Sequence, residues 1–372
     1  MPQTTLKFLF LIPYPPGQAP SQRFRFEQYL QFISLPPLNA HYDLEPFLDE
    51  KTWKILYQKG HLFSKITGMI KGFARRKLLM LRTWKYDLVF IHREAAPLGP
   101  PIFEWIIAKI FRKKIIYDFD DAIWLPNTSK TNWFVAGLKG HGKVAKICKW
   151  SYKISVGNEF LADFARQYND QVLLNPTTID TDGLHQKTFF DEDSVENDLN
   201  KKGKANFTIG WTGSHSTLPY LKLIKDALRK LEEKYEVRLV IIANQPPDIR
   251  IKNLEYKPWN KETEMADLLD FDVGIMPLVD DIWANGKCGF KALQYLSLGI
   301  PALVSPVGIN TKIVTHGEEG FHCKTEADWV IYLEKLLLNP ELRKEMGKKG
   351  RKKVEDDFSV KSNKENFLRL FK

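Results

Sequence analysis

Two lysines at close spacing are the clearest chemical signal in this 372-residue sequence. The segment GKCGFK carries Lys287 and Lys291, which share one helix face if a helix has begun there. Together with free backbone amides at a helix start, they would form a cationic cradle for a diphosphate. Solvated lysines are the alternative, but the small residues Gly286, Cys288 and Gly289 leave room for a ligand.

The segment GWTGSHST is a second candidate for phosphate binding, because it follows an apolar run and precedes a helical pattern. Gly213 permits close approach of the backbone, and Ser214 can cap the helix that follows. A serine or threonine before a helix is usually only a cap. The segment therefore indicates a ligand only in combination with the lysine pair.

Three carboxylates follow another apolar run, in the segment YDFDDAIW. Asp118, Asp120 and Asp121 could bind a metal, position hydroxyl groups or act as a base. Helix capping and salt bridges to nearby cations are the alternatives. No other carboxylates cluster in the sequence to complete a magnesium site, so we expect no metal there.

The loop after the first apolar run, PYPPGQAPSQRFR, is a candidate because it follows a predicted strand. Gly17 could approach a ligand closely, and Arg23 and Arg25 either bind an anion or face solvent. His92 and Arg93 end another predicted strand and are similar candidates. A lone histidine at such a position is more often structural than catalytic.

Short apolar runs alternate with amphipathic stretches along the whole chain, which is typical of parallel, doubly wound α/β sheets. The predicted strands are 6–12, 87–92, 114–117, 153–156, 171–174, 206–211, 237–242, 272–276 and 301–305. The predicted helices are 22–32, 50–84, 101–111, 158–168, 216–234, 260–270, 290–298, 325–338, 340–355 and 359–371. Ligands bind outside the carboxyl ends of such strands, so all the segments above lie where a site is expected.

A change in composition divides the chain into domains. We predict a first domain at 1–185, a polar linker region at 186–205 and a second domain at 206–355. The final segment, 356–372, is predicted to be a helix that crosses back to the first domain. Two such domains in tandem predict a cleft between the carboxyl ends of two sheets.

The excess of basic residues lies in the first half of the chain. Residues 1–189 contain 26 Lys and Arg against 16 Asp and Glu, whereas the remainder contains 29 of each. Within this half, 51–85 holds ten basic residues and no acidic one. The excess predicts an anionic partner, either a phospholipid surface, a phosphorylated acceptor or nucleic acid. Nucleic acid is disfavoured because no recognition motif accompanies the charge.

The stretch 51–85 therefore has two interpretations. It could lie on anionic lipid as a basic amphipathic helix, or it could be an ordinary surface helix packed on the sheet. No apolar run approaches the roughly 20 residues of a transmembrane helix, and the first run is too short for a signal peptide. Three cysteines without CxxC spacing indicate neither a disulfide framework nor a zinc site. We expect a cytoplasmic protein, peripheral at the inner face of the membrane.

Taken together, these segments resemble the family-4-like retaining glycosyltransferases of the GT-B fold (glycosyl transferases group 1). The strongest match is GKCGFKALQYLSLGIPALVSPVGIN at 286–310, continued by GEEGF at 317–321. FTIGWTGSHSTLPYL, FDVGIMPL and IIYDFDDAIW resemble further segments of that family. The signatures GxGxxG, GxxxxGK[ST], GxSxG and HExxH, which mark other enzyme classes, are missing.

The resemblance implies an α/β GT-B architecture, in which two doubly wound Rossmann-like domains have parallel sheets that face each other across a cleft. Many members carry two glutamates at the donor site, which here fall on Gly286 and Gln294. Lys287 and Lys291 then become the principal diphosphate contacts. Asp120 occupies the place of a family histidine, so we assign these two lysines and Asp120 to catalysis.

The remaining assignments follow from the same resemblance. The donor-binding set comprises Gly17, Gly213, Ser214, Trp259, Gly286, Lys287, Cys288, Gly289, Lys291 and Gln294. The acceptor side comprises Arg23, His92, Arg93 and Asp121. Trp259 is included because it lies near the expected base pocket.

The resemblance also implies the reaction. A sugar would pass with retention from a nucleotide-sugar donor to a glycan or lipid-linked acceptor, in the synthesis of cell-surface polysaccharide or glycolipid. Cations and helix amides would stabilise the leaving diphosphate, with no metal or other cofactor. The missing glutamates leave one alternative, a non-catalytic relative that binds a nucleotide or a glycan.

Overall fold

The computed structural model describes residues 5–58, 60–125, 140–185 and 207–372. The predicted linker at 186–205 lies outside the described residues. The chain divides into two compact units, which are described separately below. No helix within the described ranges is long and apolar enough to span a membrane.

The first unit comprises residues 1–177, 286–288 and 363–372. Its described strands form a six-stranded parallel sheet in the order β2-β1-β3-β4-β5-β6. The strands are β1 (Lys7–Ile12), β2 (His41–Pro46), β3 (Leu88–His92), β4 (Lys114–Phe119), β5 (Lys153–Val156) and β6 (Val172–Leu174). The helices of residues 1–177 are α1 (Pro20–Arg23), α2 (Leu30–Ile33), α3 (Glu50–Ile55), α4 (Leu62–Met80), α5 (Ile102–Trp105), α6 (Lys143–Trp150) and α7 (Glu159–Arg166).

The second unit comprises residues 178–285 and 289–362. Its described strands form a six-stranded parallel sheet in the order β12-β11-β10-β7-β8-β9. The strands are β7 (Thr208–Gly213), β8 (Arg238–Ala243), β9 (Leu254–Pro258), β10 (Val273–Met276), β11 (Ala302–Val304) and β12 (Gly320–His322). The helices are α8 (Lys225–Lys234), α9 (Glu264–Leu268), α10 (Ile282–Asn285), α11 (Phe290–Ser297), α12 (Asn310–Ile313), α13 (Glu326–Leu338) and α14 (Pro340–Asp357), and α15 (Val360–Leu368) follows.

The predicted apolar runs form the central strands, because a parallel strand covered by helices on both faces must be apolar along its length. In β1 every residue after Lys7 is buried, and all of β3 is buried. The prediction of a parallel α/β fold in two sheets is therefore confirmed. The second sheet has the Rossmann strand order, since its six strands read 3-2-1-4-5-6 in sequence order from β9 to β12.

The strands that the sequence pattern missed lie at the margins of the sheets. β2 and β9 are edge strands, and most of their residues are only partly buried. An edge strand tolerates polar residues, so it leaves no apolar run in the sequence. β12 is a third edge strand that was missed, and it has only three residues.

Several predicted helices are shorter or less regular than expected. The helix predicted at 216–234 is a 3₁₀ segment, Leu218–Ile224, followed by α8. The helix predicted at 101–111 consists of α5 and one turn of π-helix, Ile106–Ile110. Pro219 lies in the first turn of the 3₁₀ segment, where it lacks the N–H that a longer α-helix would require.

The last residues of the chain belong to the first unit. The ring of Phe371 stacks on Phe8 with 5.2 Å between centroids, and Phe367 stacks on Tyr29 at 4.5 Å. The side-chain amide of Asn366 donates to the carbonyl of Leu174 at 2.6 Å. Residues 363–372 therefore complete the core of the first unit.

Residues 178–185, which the sequence assigns to the first domain, belong to the second compact unit. Ile179 forms a bridge with Ser359, and Arg351 donates to the carbonyls of Thr181 and His185. Arg351 also donates to the carbonyl of Ser297 at 2.7 Å. These long-range hydrogen bonds, rather than local composition, determine the position of the boundary.

Candidate functional site

In the first unit, the strand order reverses between β1 and β3, and ligands of such sheets bind at this switch point. The loop with Gly17 follows β1, and Arg93 follows β3 directly. Asp120 and Asp121 follow the neighbouring strand β4. The sheet therefore brings the predicted acidic and acceptor-side residues together at the carboxyl ends of its strands.

Asp118 lies in the core of the first unit and carries a buried charge network. Arg25 donates to one oxygen of Asp118, and His92 Nδ1 lies 2.7 Å from the other. All three side chains are fully buried. Burial opposes ionisation of Asp118, but Arg25 and His92 outweigh it and hold its pKa well below the usual range.

The two predictions for Arg25, an anion ligand or a solvent-facing residue, are therefore both wrong. Arg25 also donates to the carbonyl of Asn175, and its guanidinium lies 3.2 Å from the hydroxyl of Ser155. His92, assigned to the acceptor side, is buried beside Phe26, with 5.4 Å between ring centroids. The network fixes strands β3, β4 and β5 relative to the first loop.

Arg93 organises the remaining carboxylates at this edge. Its Nε donates to Asp120 at 2.9 Å, and its terminal nitrogen donates to Asp121 at 2.6 Å. Burial opposes ionisation of Asp120, but the Arg93 guanidinium outweighs it and lowers the pKa. Asp120 is therefore an ionised carboxylate that accepts hydrogen bonds from Arg93, and it is a weak base. At Asp121 burial prevails and raises the pKa.

Salt bridging to cations of the same domain was one of the alternatives for this acidic segment, and the structure has that arrangement. Within the described residues, no group of three or more His, Cys, Asp and Glu side chains is placed to hold a metal ion. Arg93 adopts φ 61°, a left-handed conformation that is uncommon outside glycine. This conformation directs its guanidinium to the end of β4, where both carboxylates lie.

The first loop is held by Glu27. The amide of Gly17, at φ 75°, donates to Glu27 Oε2 at 2.8 Å. Gln22 donates to the other oxygen at 3.0 Å, and burial raises the pKa of Glu27. Arg23 is half-buried with its guanidinium 4.9 Å from the ring centroid of Phe24.

Residues 286–288, from the predicted phosphate-binding loop, belong to the first unit. The Cys288 thiol lies 3.1 Å from the carbonyl oxygen of Asp120, and the Asn158 amide donates to the carbonyl of Lys287 at 2.9 Å. A Cβ on Gly157 would overlap Cys288, so glycine is needed there. Burial raises the pKa of Cys288, which remains a protonated donor. The small residue at 288 thus anchors the loop, in contrast to the prediction that it leaves room for a ligand.

In the second unit, the switch point lies between β7 and β10, the two strands at which the strand order reverses. Gly213 ends β7, and Ser214 follows it with an exposed side chain. A Cβ on Gly213 would come within 2.8 Å of Lys291 Cε, so the missing side chain makes space for this lysine. Lys291 Nζ lies 5.4 Å from the ring centroid of Trp211.

The start of α11 completes this group. Gly289 is the N-cap residue at φ 68°, and a Cβ there would overlap Ile313. Lys291 is in the first turn of the helix, where the positive end of the helix dipole lies. Gly213, Ser214, Gly289 and Lys291 therefore lie close to the switch point, and their binding of an anion stays a prediction.

Gln294 lies one helical turn beyond Lys291, on the same face of α11. It is buried, and its amide donates to Glu264 Oε1 at 3.1 Å. Trp259 Nε1 donates to the same oxygen at 3.3 Å. The predicted residues Trp259 and Gln294 therefore meet at a buried carboxylate that the sequence pattern missed. Glu264 is 30 residues from Gln294, and no spacing rule connects them.

The substitution Gln294→Glu tests this contact. It sets two carboxylates side by side, so one of them acquires a raised pKa in the folded protein. We expect the free energy of unfolding to fall by about 2 kcal/mol at pH 8. Because the folded pKa is raised, the loss should vanish below the unfolded value of about 4.3. Urea unfolding at both pH values measures it.

The double variant Glu264→Gln with Gln294→Glu is the matched control, since it keeps one carboxylate and one amide with exchanged positions. It should recover most of the lost stability. A single variant as stable as the parent at pH 8 would show that Glu264 and Gln294 are not in contact.

Two parallel six-stranded sheets, the second with the Rossmann strand order, define the class of α/β proteins built from two Rossmann-like units. Residues 196–353 match the family described as glycosyl transferases group 1. Among curated proteins, none matches the chain significantly.

Solved structures support the fold over almost the whole chain. Anabaena HepE in complex with UDP and glucose has 13% identity and a TM-score of 0.66, covering 98% of this chain and 99% of its own. Sucrose-phosphate synthase from Thermosynechococcus elongatus has 12% identity and a TM-score of 0.65, covering 99% and 98%. The catalytic domain of Arabidopsis thaliana starch synthase IV, bound to ADP and acarbose, has 10% identity and a TM-score of 0.68, covering 99% of both chains.

Proposed function

We propose that this protein is a glycosyltransferase that uses a nucleotide-sugar donor and transfers the sugar with retention to a glycan or lipid-linked acceptor. The observation that carries the proposal is the group formed by Gly213, Ser214, Gly289 and Lys291 at the start of α11. A cation at the positive end of a helix dipole is suited to a diphosphate. The similar HepE and starch synthase structures hold UDP and ADP, which supports a nucleoside diphosphate as the common element.

The chemistry required of these residues is stabilisation of the leaving diphosphate. Negative charge grows on the leaving oxygen as the glycosidic bond breaks, and Lys291 with the helix amides would neutralise it. Lys287 remains a predicted second cation, four residues earlier in the chain. Asp120, held ionised by Arg93, would accept a hydrogen bond from a sugar hydroxyl rather than remove a proton.

The carboxylates of Asp118, Asp120 and Asp121 are engaged by arginines, which supports a reaction that does not depend on a metal held by this segment. We therefore expect turnover to persist in EDTA. Retention would appear as an unchanged anomeric configuration in the product NMR spectrum. A role in cell-surface polysaccharide or glycolipid synthesis, at the inner face of the membrane, is part of the same proposal.

A thermal-shift and calorimetric panel of UDP, GDP, ADP and their sugars tests the donor. We expect one nucleoside diphosphate to raise the melting temperature, and its sugar to be turned over with a suitable acceptor. The absence of binding across the panel would refute the proposal. Binding without release of the nucleoside diphosphate would favour the alternative, a non-catalytic relative.

A further inference from the structure

Helix α4, in the basic stretch 51–85, carries large apolar side chains on its outward face. Phe63 is 83% exposed and Ile70 is 63% exposed, and Ile66 is also exposed. The buried positions of the helix are Gly68, Gly72, Arg76, Leu79 and Met80. A surface helix normally buries its apolar face and exposes its polar one. Helix α4 packs on the first unit as a surface helix does, but it also exposes a second apolar face.

Close packing fixes this orientation. A Cβ on Gly68 would overlap the Thr52 side chain, and one on Gly72 would come within 2.6 Å of the Phe47 ring. Arg76 Nε donates to the carbonyl of Ala95 at 2.7 Å. Arg76 is one of the ten basic residues of 51–85, but because it is buried it contributes no surface charge. Burial lowers the pKa of Arg76 to about 10. The inward face combines these two glycines, one hydrogen-bonded arginine and apolar side chains such as Leu79, and the helix cannot rotate without losing these contacts.

Three of the exposed apolar residues form a stripe on one side of α4. Phe63, Ile66 and Ile70 recur at helical spacing over about 10 Å, and Leu81, at the end of the helix, is also exposed. Trp84, three residues beyond Leu81, is 63% exposed. Isolated exposed apolar residues are common, but an aligned set on one helix marks an interaction surface.

The charge beside this stripe indicates its partner. Lys71, Lys77, Arg82 and Lys85 are exposed, and 51–85 has no acidic residue. Large apolar side chains flanked by cations, with a tryptophan near the end, are typical of a helix that lies in the headgroup region of an anionic bilayer. Lysine and arginine stems extend toward lipid phosphates while the apolar residues enter the acyl boundary.

We infer that the outward face of α4, continued to Trp84, docks the enzyme on an anionic lipid surface. The inference deepens the proposed transfer to a lipid-linked acceptor and rests on that proposal for its biological purpose. Lipid binding is measured without donor or acceptor. A failure to bind lipid would therefore leave the donor proposal intact, and a failure of the nucleotide panel would leave the lipid surface intact. Each exposed cation close to the surface should strengthen binding by about fivefold at low salt.

Flotation of the full-length protein with phosphatidylglycerol-containing vesicles and with pure phosphatidylcholine vesicles tests the inference. We expect binding to the anionic vesicles, with a strong loss as salt rises. Ile66→Gln with Ile70→Gln should lower this binding by about tenfold or more. The control Leu223→Gln with Ile331→Gln changes equally exposed residues of the second unit and should leave it unchanged.

Lys71→Glu with Lys77→Glu should abolish the preference for anionic lipid. The far-UV circular dichroism spectrum and the melting temperature should be the same in every variant, which excludes misfolding. Equal binding to both vesicle types, or equal loss in the control variant, would overturn the inference. Gel filtration that shows a dimer dissociated by the two α4 glutamines would also overturn it, since the face would then bind a second copy of the chain.

Discussion

Lys291→Ala should lower kcat/KM for the nucleotide-sugar donor by about 10²- to 10³-fold, because it removes the cation beside the leaving diphosphate. The side chain lies against Gly213, and its ammonium group is 5.4 Å from the ring centroid of Trp211. Negative charge grows on the leaving diphosphate as the glycosidic bond to the sugar breaks. The loss should therefore appear in kcat more than in KM, and steady-state kinetics with the donor found in the binding panel would measure it.

Lys312→Ala is the control for this variant, since Lys312 is an exposed lysine of the same unit. It should leave kcat/KM within about twofold, because a solvated surface charge contributes little. Lys291→Arg keeps the charge and should recover part of the activity. A parent-like kcat/KM in Lys291→Ala would remove this lysine from the catalytic assignment.

Asp118→Asn should lower the free energy of unfolding by about 4 kcal/mol, because it leaves the Arg25 guanidinium buried without its counter-charge. Both side chains are fully buried, and three strands depend on the network. Urea unfolding monitored by far-UV circular dichroism would give the value. A loss of this size could remove most of the stability of an ordinary domain.

The pH dependence gives a second measurement on the same variant. The folded pKa of Asp118 is held well below its usual range, so its contribution is full above the unfolded value of about 3.9. The contribution is lost as the pH falls toward the folded value. The stability gap between parent and variant should therefore be constant near neutrality and narrow below about pH 4.

Asp163→Asn is the matched control for the buried pair. Asp163 also pairs with an arginine, Arg166, at 3.0 Å, but both side chains are largely exposed. An exposed ion pair contributes at most about 1 kcal/mol. Equal losses in the two variants would contradict the distinction between the buried and the exposed pair.

The central strands could be predicted from sequence because burial on both faces requires apolar residues, and the structure confirms them. The edge strands β2 and β9 could not, since their exposed sides carry polar residues that break the pattern. Glycines before helices, such as Gly289, are also informative in the sequence. Few other residue types adopt a left-handed backbone, so a glycine at such a position indicates that conformation.

Contacts between distant residues left no trace in the sequence. Arg25 and Asp118 are 93 residues apart, and nothing in either segment distinguishes a buried pair from a ligand site. Glu264 is similarly remote from Gln294. In the basic stretch 51–85 the composition is clear from the sequence, but the orientation of the helix is not. The inward face of α4 is set by Gly68 and Gly72, which pack on other segments of the chain.

The aromatic contacts of Phe367 and Phe371 with the first sheet have a consequence for synthesis on the ribosome. Phe8 and Phe371 lie more than 300 residues apart along the chain. The core of the first unit therefore stays incomplete until residue 371 has been made, although domains usually fold in order of emergence. A fragment stopped at residue 177 would expose Tyr29 and Phe8, and nascent chains are expected to depend on chaperones until residues 363–372 emerge.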